Sequence, residues 1–354
     1  MRPAVLEPEA SVLAEFEIGR DDAGQRAERY LRRRFASMGL DRLHSLFRRD
    51  EVKLARKPIA RSHLLQAGDV MQVYGLKAEE LETVAGAKIS GAGSKELARP
   101  AAPVAAPSVP KRRFAIPILH EDADLLVLDK PAGKAVHPGT GVAPGDSVIE
   151  EARAYLDSGW SSADLFQPSL VHRLDKDTSG VLVIAKTGEC LRRLNAALRD
   201  GGFHKRYLAL VEGVPDPPQG EISGLLNRVD SRSGGAKAQV SQDEGKWSVT
   251  RYRLVKDLGK FSLLGVIIET GRMHQIRAHL AELGHPLLGD HRYGSFERNR
   301  AYRKALGLKR TFLHASDLEI DAGEGKRLSF HAPLPRDLTQ ALELLPEFHP
   351  ADSE

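Results

Sequence analysis

Apolar positions fall into two patterned stretches separated by an unpatterned one. In the first, Ala27, Tyr30, Leu31 and Phe35 recur at helical spacing, and Leu43, Leu46 and Phe47 begin a second, shorter helix. Val52-Lys53-Leu54 and Val70-Met71-Gln72-Val73 alternate as short strands, the latter after a turn at Ala67-Gly68-Asp69. Residues 16–76 therefore predict a small α/β module, with a loose tail at 1–15. From Lys77 to Arg112 there is no aromatic residue, and Pro100, Pro103, Pro107 and Pro110 stand among alanines. Such a stretch buries little apolar surface and predicts a flexible linker over 77–112. A large domain follows over 113–350. Its strand-like runs are Leu125–Leu128, Val181–Ala185, Tyr207–Val211 and Phe261–Glu269, with helical patterns at 188–200 and 272–283. The mixture predicts an α+β fold built on a mixed, largely antiparallel sheet. There is no internal repeat.

Composition narrows the class. The chain has 354 residues, 28% charged and 41% hydrophobic, which suits a soluble globular protein with ample core. No apolar stretch approaches the ~20 residues that span a bilayer, so no membrane role is expected. The acidic N-terminus (Glu7, Glu9, Glu15, Glu17) lacks a hydrophobic signal core. Cys190 is the single cysteine, which excludes an intrachain disulfide and fits a reducing cytoplasm. The formal charge of +4 is uneven: Phe16–Leu76 carries 13 Lys and Arg against 8 Asp and Glu. A basic module on a near-neutral body points to a polyanion partner, with a solvated charged face as the alternative.

The most informative run is His172-Arg173-Leu174-Asp175-Lys176-Asp177-Thr178-Ser179-Gly180, leading into an apolar strand. Loops on rigid strands commonly hold catalytic groups. Asp175-x-Asp177-x-Ser179-Gly180 starts like a calcium loop, but position 12 is Lys186 and a strand follows, so calcium is excluded. Upstream, Lys130-Pro131-Ala132-Gly133 closes a strand. Lys130 is a candidate contact to phosphate or ribose, although a turn fixed by proline and glycine suffices for most of these residues. Tyr207 begins a strand, where packing is favoured over a site role on sequence alone. Near 272–277, a strand passes through Thr270-Gly271 into a helix whose first turns carry Arg272, His274 and Arg277. His274 and His279 are spaced i,i+5, unsuited to zinc. An arginine buried there needs an anion, for which Asp175 is the natural candidate.

Four motifs together resemble the RluA-type pseudouridine synthases: His172-Arg-Leu-Asp175-x-x-Thr-Ser-Gly180, Lys205-x-Tyr207-Leu-Ala-Leu, Thr270-Gly-Arg-x-His274-Gln-Ile-Arg277-x-His279 and Gly289-Asp-x-x-Tyr293-Gly. Met273 departs from the family's usual Thr or Ser. The first module is similar to the S4 (αL) RNA-binding domain, with Arg26-Ala27-Glu28 at its usual Arg-Leu-Asp opening. The resemblance implies isomerisation of uridine to pseudouridine in RNA, without metal or cofactor, and the large-subunit ribosomal RNA branch of the family in particular. Transfer RNA as substrate, or a non-catalytic assembly factor, are the alternatives. A glycosidase-like pair of Asp175 and Asp177 is a third; it lacks an aromatic sugar platform.

The resemblance assigns Asp175 the essential carboxylate, attacking C1′ or acting through a glycal, with Arg277 as its cation. It gives Tyr207 the uracil face and a proton-transfer role at C5, and Arg173 the wedge that fills the gap left by the flipped base. His172, Lys130, Arg272 and His274 are expected to contact RNA, and Ile276 with Val181–Ile184 to wall the pocket. Arg29, Arg33, Arg48, Arg49 and Lys53 are expected to bind RNA on the S4-like module. A cytoplasmic monomer is expected.

Overall fold

The computed structural model describes residues 12–35, 38–81, 88–90, 114–139, 141–156, 166–230, 236–241, 243–321 and 327–345. The chain divides into two compact units, with the main boundary at Arg112/Arg113 and the short segments 155–167 and 187–189 grouped with the first. Residues 1–11 of the expected tail, and 82–87 and 91–113 of the expected linker region, lie outside the described residues.

The first unit contains β1 (Val12–Glu17), α1 (Ala27–Arg34), α2 (Leu40–Arg48), β2 (Val52–Leu54), β3 (Lys57–Pro58), β4 (Val70–Leu76), α3 (Ala78–Leu81) and β5 (Lys88–Ser90), and its strands form a five-stranded sheet ordered β3-β2-β4-β1-β5. Both helices expected here are present. Phe16 meets Tyr30 and Phe35 edge-on at 6.0 and 5.9 Å, and Leu31, Leu43, Leu46 and Met71 close the core around them. Two boundaries are corrected. Val12–Glu17 is a strand along β4, so residues 12–15 are not tail. Ala14 and Phe16 alternate inward and bury fully, the signature of a half-buried strand. Beyond Lys77, α3 and β5 are regular structure within the expected linker. Arg42 binds Glu80 at 2.8 Å, and β5 pairs with β1.

The second unit contains β6 (Ile118–Glu121), β7 (Leu125–Lys130), α4 (Val148–Leu156), β8 (Ser169–Leu170), β9 (Ser179–Ala185), α5 (Gly188–Arg199), β10 (Phe203–Glu212), β11 (Gln219–Asp230), β12 (Ala236–Ser241), β13 (Lys246–Asp257), β14 (Phe261–Ile268), α6 (Gln275–Glu282), α7 (Phe296–Leu306), β15 (Leu313–Asp321), β16 (Arg327–His331) and α8 (Arg336–Leu344). The sheet runs β12-β11-β13-β14-β10-β15-β9-β7-β6, with β16 beside β15 and β8 beside β9. Among the described residues its pairings are antiparallel except β9–β15. This is the mixed, mainly antiparallel α+β architecture that the apolar runs predict.

Two strands position the site. Every residue of β9 is buried, as a central strand covered on both faces requires. β10 alternates at its start: Phe203, Lys205 and Tyr207 face inward, and His204 and Arg206 outward. Its ladder with β15 slips by a residue between Arg206 and Leu208, and bulges of this kind re-aim neighbouring side chains.

Gly180 sits where β9 meets β15. Its φ is +114°, and an added Cβ would lie 2.1 Å from the Ala315 carbonyl oxygen. Gly180→Ala therefore meets both backbone strain and a backbone clash. A loss of at least about 2 kcal/mol is expected, read as a lower urea midpoint, together with reduced activity because the turn bearing Asp175 leads into this residue. An unchanged midpoint would contradict the packing described.

Candidate active site

Asp175 heads a tight turn, in which Thr178 N–H donates to the Asp175 carbonyl oxygen at 3.2 Å. Three carbonyls that follow are held from inside the unit. The Lys130 ammonium, fully buried at the end of β7, donates to Pro131 O (2.8 Å), Lys176 O (3.0 Å) and Thr178 O (2.8 Å). Gly133 N–H also donates to Lys176 O, and Arg310 Nη1 donates to Asp177 O at 3.1 Å. Arg310 continues to Ser179 Oγ, which pairs with His314 Nδ1 at 2.9 Å. Two buried cations thus fix the backbone that carries the carboxylate. Burial lowers the Lys130 pKa to about 7, against the charges of Asp177 and Asp175 that favour its protonated form.

This geometry corrects two expectations. Lys130 is a clamp under the turn, with its donors committed to carbonyls, and is not a contact to RNA. His172 Nε2 accepts Val183 N–H at 3.2 Å, and its Nδ1 is buried with no partner among the described residues. Neither ring nitrogen is open to RNA, and burial, then the Lys205 charge, lowers its pKa to about 3. Arg173, between them, is exposed.

Asp175 Oδ2 accepts from Arg277 Nη1 at 3.2 Å, joining residues 102 positions apart. The arginine's main partner is a residue that sequence reasoning missed. Asp290, fully buried, takes Arg277 Nε (2.7 Å) and Nη2 (2.8 Å) as a fork. Its Oδ1 also accepts Arg292 N–H and Tyr293 N–H. Burial raises the Asp290 pKa, but these bonds and the Arg277 charge outweigh it and hold it below the usual range. For Arg277, burial opposes the charge, and the two carboxylates overcome it and raise its pKa. The guanidinium also lies 5.3 Å from the Tyr293 ring centre.

The helix α6 begins later than expected. His274 has φ 53° and caps α6, so Arg272 and His274 precede its first turn. The loop is shaped by Gln275. Its Oε1 accepts from Thr270 Oγ1 (2.8 Å) and Arg272 N–H (3.1 Å), and its Nε2 donates to Val249 O (2.9 Å). His274 Nε2 lies 3.8 Å from Asp175, and its Nδ1 pairs with Tyr293 Oη at 3.2 Å. Burial, with Arg277 and Arg292, lowers its pKa against the pull of Asp175. His279 points elsewhere, bonded to Thr250 Oγ1 and Ser248 Oγ, so the two histidines do not share a ligand. Arg272 is exposed, with Nε on the Trp247 carbonyl.

Tyr207 is 6% exposed and makes no hydrogen bond among the described residues. Burial, then the Asp175 charge, pushes its hydroxyl above the ordinary range, so it stays a phenol. The assembled set is an oriented carboxylate, a buried arginine behind it and an unengaged tyrosine on the next strand. Such a set can act on a carbon centre beside a flat apolar ring.

A family model for RNA pseudouridylate synthase matches residues 124–282, which contain all three. The ribosomal large subunit pseudouridine synthase C of Escherichia coli (strain K12) is 36% identical over 330 residues, covering 93% of this chain and 95% of that protein. This chain belongs to the RluA-type pseudouridine synthases. The pseudouridine synthase D of Zymomonas mobilis is 40% identical over 232 residues, covering 64% of this chain and 72% of that one. A solved structure, human RNA pseudouridylate synthase domain containing 4, aligns with TM-score 0.51 and 27% identity over 65% of this chain and 92% of that one. An RluA-type synthase is an isomerase and its substrate is RNA. Among the described residues, no helix is long and apolar enough to cross a membrane.

The first unit carries exposed cations. Arg26, Arg29 and Arg32 line a shallow basin of 560 Å³ with Gly24, Gln25, Glu28 and Leu64. Arg48 and Arg49 are exposed at the end of α2. Arg33 is paired with Asp22 at 2.8 Å, and Lys53 Nζ lies 4.9 Å over the Tyr74 ring.

Histidines held neutral by burial are expected to make the synthase acid-sensitive. Burial lowers His279 to about 4 and His172 to about 3, while an unfolded histidine titrates near 6.5. Below about pH 6.5 the unfolded state binds protons that the folded state cannot, so stability falls as pH falls. The urea midpoint is expected to drop between pH 7 and pH 4.5, and less steeply in His279→Gln. A midpoint independent of pH over that range would contradict the burial of these rings as neutral groups.

Proposed function

We propose that this synthase isomerises uridine in large-subunit ribosomal RNA, with Asp175 as the essential carboxylate. The observation that carries the reading is the Asp175–Arg277–Asp290 arrangement beside Tyr207. The ribosomal target rests on the printed names of relatives that match along nearly the whole chain. In the reaction the N1–C1′ bond breaks and a C5–C1′ bond forms. The C5 proton leaves and N1 gains one, so nothing is consumed. Asp175 attacks C1′ or removes the C2′ proton; both need an ionised carboxylate in a fixed orientation. Arg277 supplies the orientation and favours the ionised form. Asp290 keeps Arg277 from swinging away.

Tyr207 is assigned to pack against the uracil. Its environment opposes ionisation, which makes the phenol a poor base for the C5 proton. Arg173, exposed beside the turn, is assigned the gap left by the flipped base. Ile276 and the Val181–Ile184 segment of β9 wall the pocket. Arg272 and His274 are assigned contacts to the RNA around it. The first unit is read as an S4-like RNA-binding module, with Arg29 in its basin, Arg48 and Arg49 exposed nearby in sequence, and Lys53 and Arg33 adding charge.

The test is a pseudouridine map of large-subunit ribosomal RNA from cells lacking the gene, restored with wild type or Asp175→Asn. One or more sites should disappear and return only with wild type. An unchanged map would sink the ribosomal target, and rescue by the asparagine variant would sink the role of Asp175.

A further inference from the structure

Lys205 is a cation on a mostly buried side chain, with no acceptor on its ammonium among the described residues. It is 6% exposed, on the same face of β10 as Phe203 and Tyr207. Among the described residues its ammonium makes no hydrogen bond and no ion pair. Its neighbours include the Phe203 ring, centred 5.9 Å from Nζ, the His172 imidazole, whose pKa its charge lowers, and the bare Cα of Gly271, where an added Cβ would stand 3.5 Å from Nζ. The contrast with Lys130 is instructive: the same unit gives that ammonium three carbonyls. Burial alone lowers the Lys205 pKa to about 8, with no carboxylate acting on it. At neutral pH it therefore remains mostly charged. An ammonium on a mostly buried side chain, with no acceptor from the protein among the described residues, is partly desolvated at a cost in stability and stays open to a ligand that supplies the missing group.

The ligand's chemistry follows from the group. Three unused N–H donors on a cation call for an anion, and the formal charges of RNA are its phosphates. The place is consistent. Residues i and i+2 on a strand are about 7 Å apart on one face, so a nucleotide against Tyr207 brings its backbone within reach. Gly271 is exposed and has no side chain, which leaves the approach to Nζ open. We propose that Lys205 receives a backbone phosphate of the RNA, at the nucleotide whose base lies against Tyr207. The inference rests on the reading of Asp175 and Tyr207 as the uridine site.

The test uses the full chain and an unmodified transcript of large-subunit ribosomal RNA. Lys205→Met should melt at or above the wild-type temperature, because a partly desolvated ammonium with no acceptor is replaced by an apolar side chain of similar length. Its Kd for the transcript should rise about tenfold, and the slope of log Kd against log salt should fall by about 0.7, the share of one phosphate contact on a single strand. Lys205→Arg should restore most of both. In a synthetic stem-loop around the modified uridine, one uncharged methylphosphonate at that nucleotide should weaken wild type and add nothing to Lys205→Met. A lower melting temperature with unchanged Kd would overturn the inference in favour of a structural lysine. Additive losses with the methylphosphonate would overturn it in favour of a contact to the base. Failure of the wild type to form pseudouridine would sink the reading of the site instead, since the lysine is read by binding.

Discussion

Asp175→Asn is expected to fold like wild type and to lose about 10⁴-fold or more of its activity, the scale seen when a catalytic centre loses its reacting group. The two side chains have nearly the same shape, and Asp175 is half-buried at the mouth of the turn. The clamp beneath it, Lys130 and Arg310 on the carbonyls of residues 176–178, involves only backbone and is untouched. What disappears is the negative charge that Arg277 orients at 3.2 Å and that either form of the chemistry requires. Rates on an unmodified transcript, with melting curves alongside, check this. A variant within tenfold of wild type would remove Asp175 from the chemistry.

Asp290→Ala is expected to do more damage to the fold. It strands Arg277, 9% exposed, with its main acceptor gone and only the 3.2 Å contact to Asp175 remaining. Removing one partner of a buried pair typically costs about 3–5 kcal/mol, because the other charge is left buried. For a unit of this size that lowers the melting temperature by about 10 °C. It also releases the Arg292 and Tyr293 amides that Asp290 holds. Activity should fall even below the melting transition, since Arg277 is then free to swing out of the position from which it orients Asp175. Asp290→Asn, which keeps one acceptor, should lie between. Thermal melts and rates at a temperature where the variant is folded check both, and a wild-type melting temperature for Asp290→Ala would contradict the pairing.

Much of this was legible in the sequence for a physical reason: β9 and β10 carry continuous or alternating apolar runs, and turn residues mark the loop of Asp175. The rule that a buried arginine needs an anion made Asp175 a natural candidate for Arg277, and the family resemblance implied the pair, which the structure joins at 3.2 Å. The same rule was incomplete, since it named a partner 102 residues away and passed over Asp290, thirteen residues on, whose burial only the fold reveals. Lys205 had a signal that was overlooked: the alternation of β10 puts it on the face of Tyr207. Arg310 and His314 had none, because they reach Asp177 and Ser179 from more than 130 positions away. Helical spacing suggested a start for α6 at 272, whereas the left-handed His274 and the Gln275 bonds delay it to Gln275. In the first unit, Ala14 and Phe16 already alternated as a strand. The short β5 exists only through its pairing with β1 and had no pattern of its own.

The central claim is that the carboxylate on this turn moves the uracil from N1 to C5, which must expel the proton at C5. The direct measurement is release of tritium from a large-subunit ribosomal RNA transcript labelled at C5 of uridine, incubated with purified protein. Wild type is predicted to release label in stoichiometric proportion to the sites modified, and Asp175→Asn to release none above background. No release by folded wild-type protein, or equal release by the variant, would contradict the account.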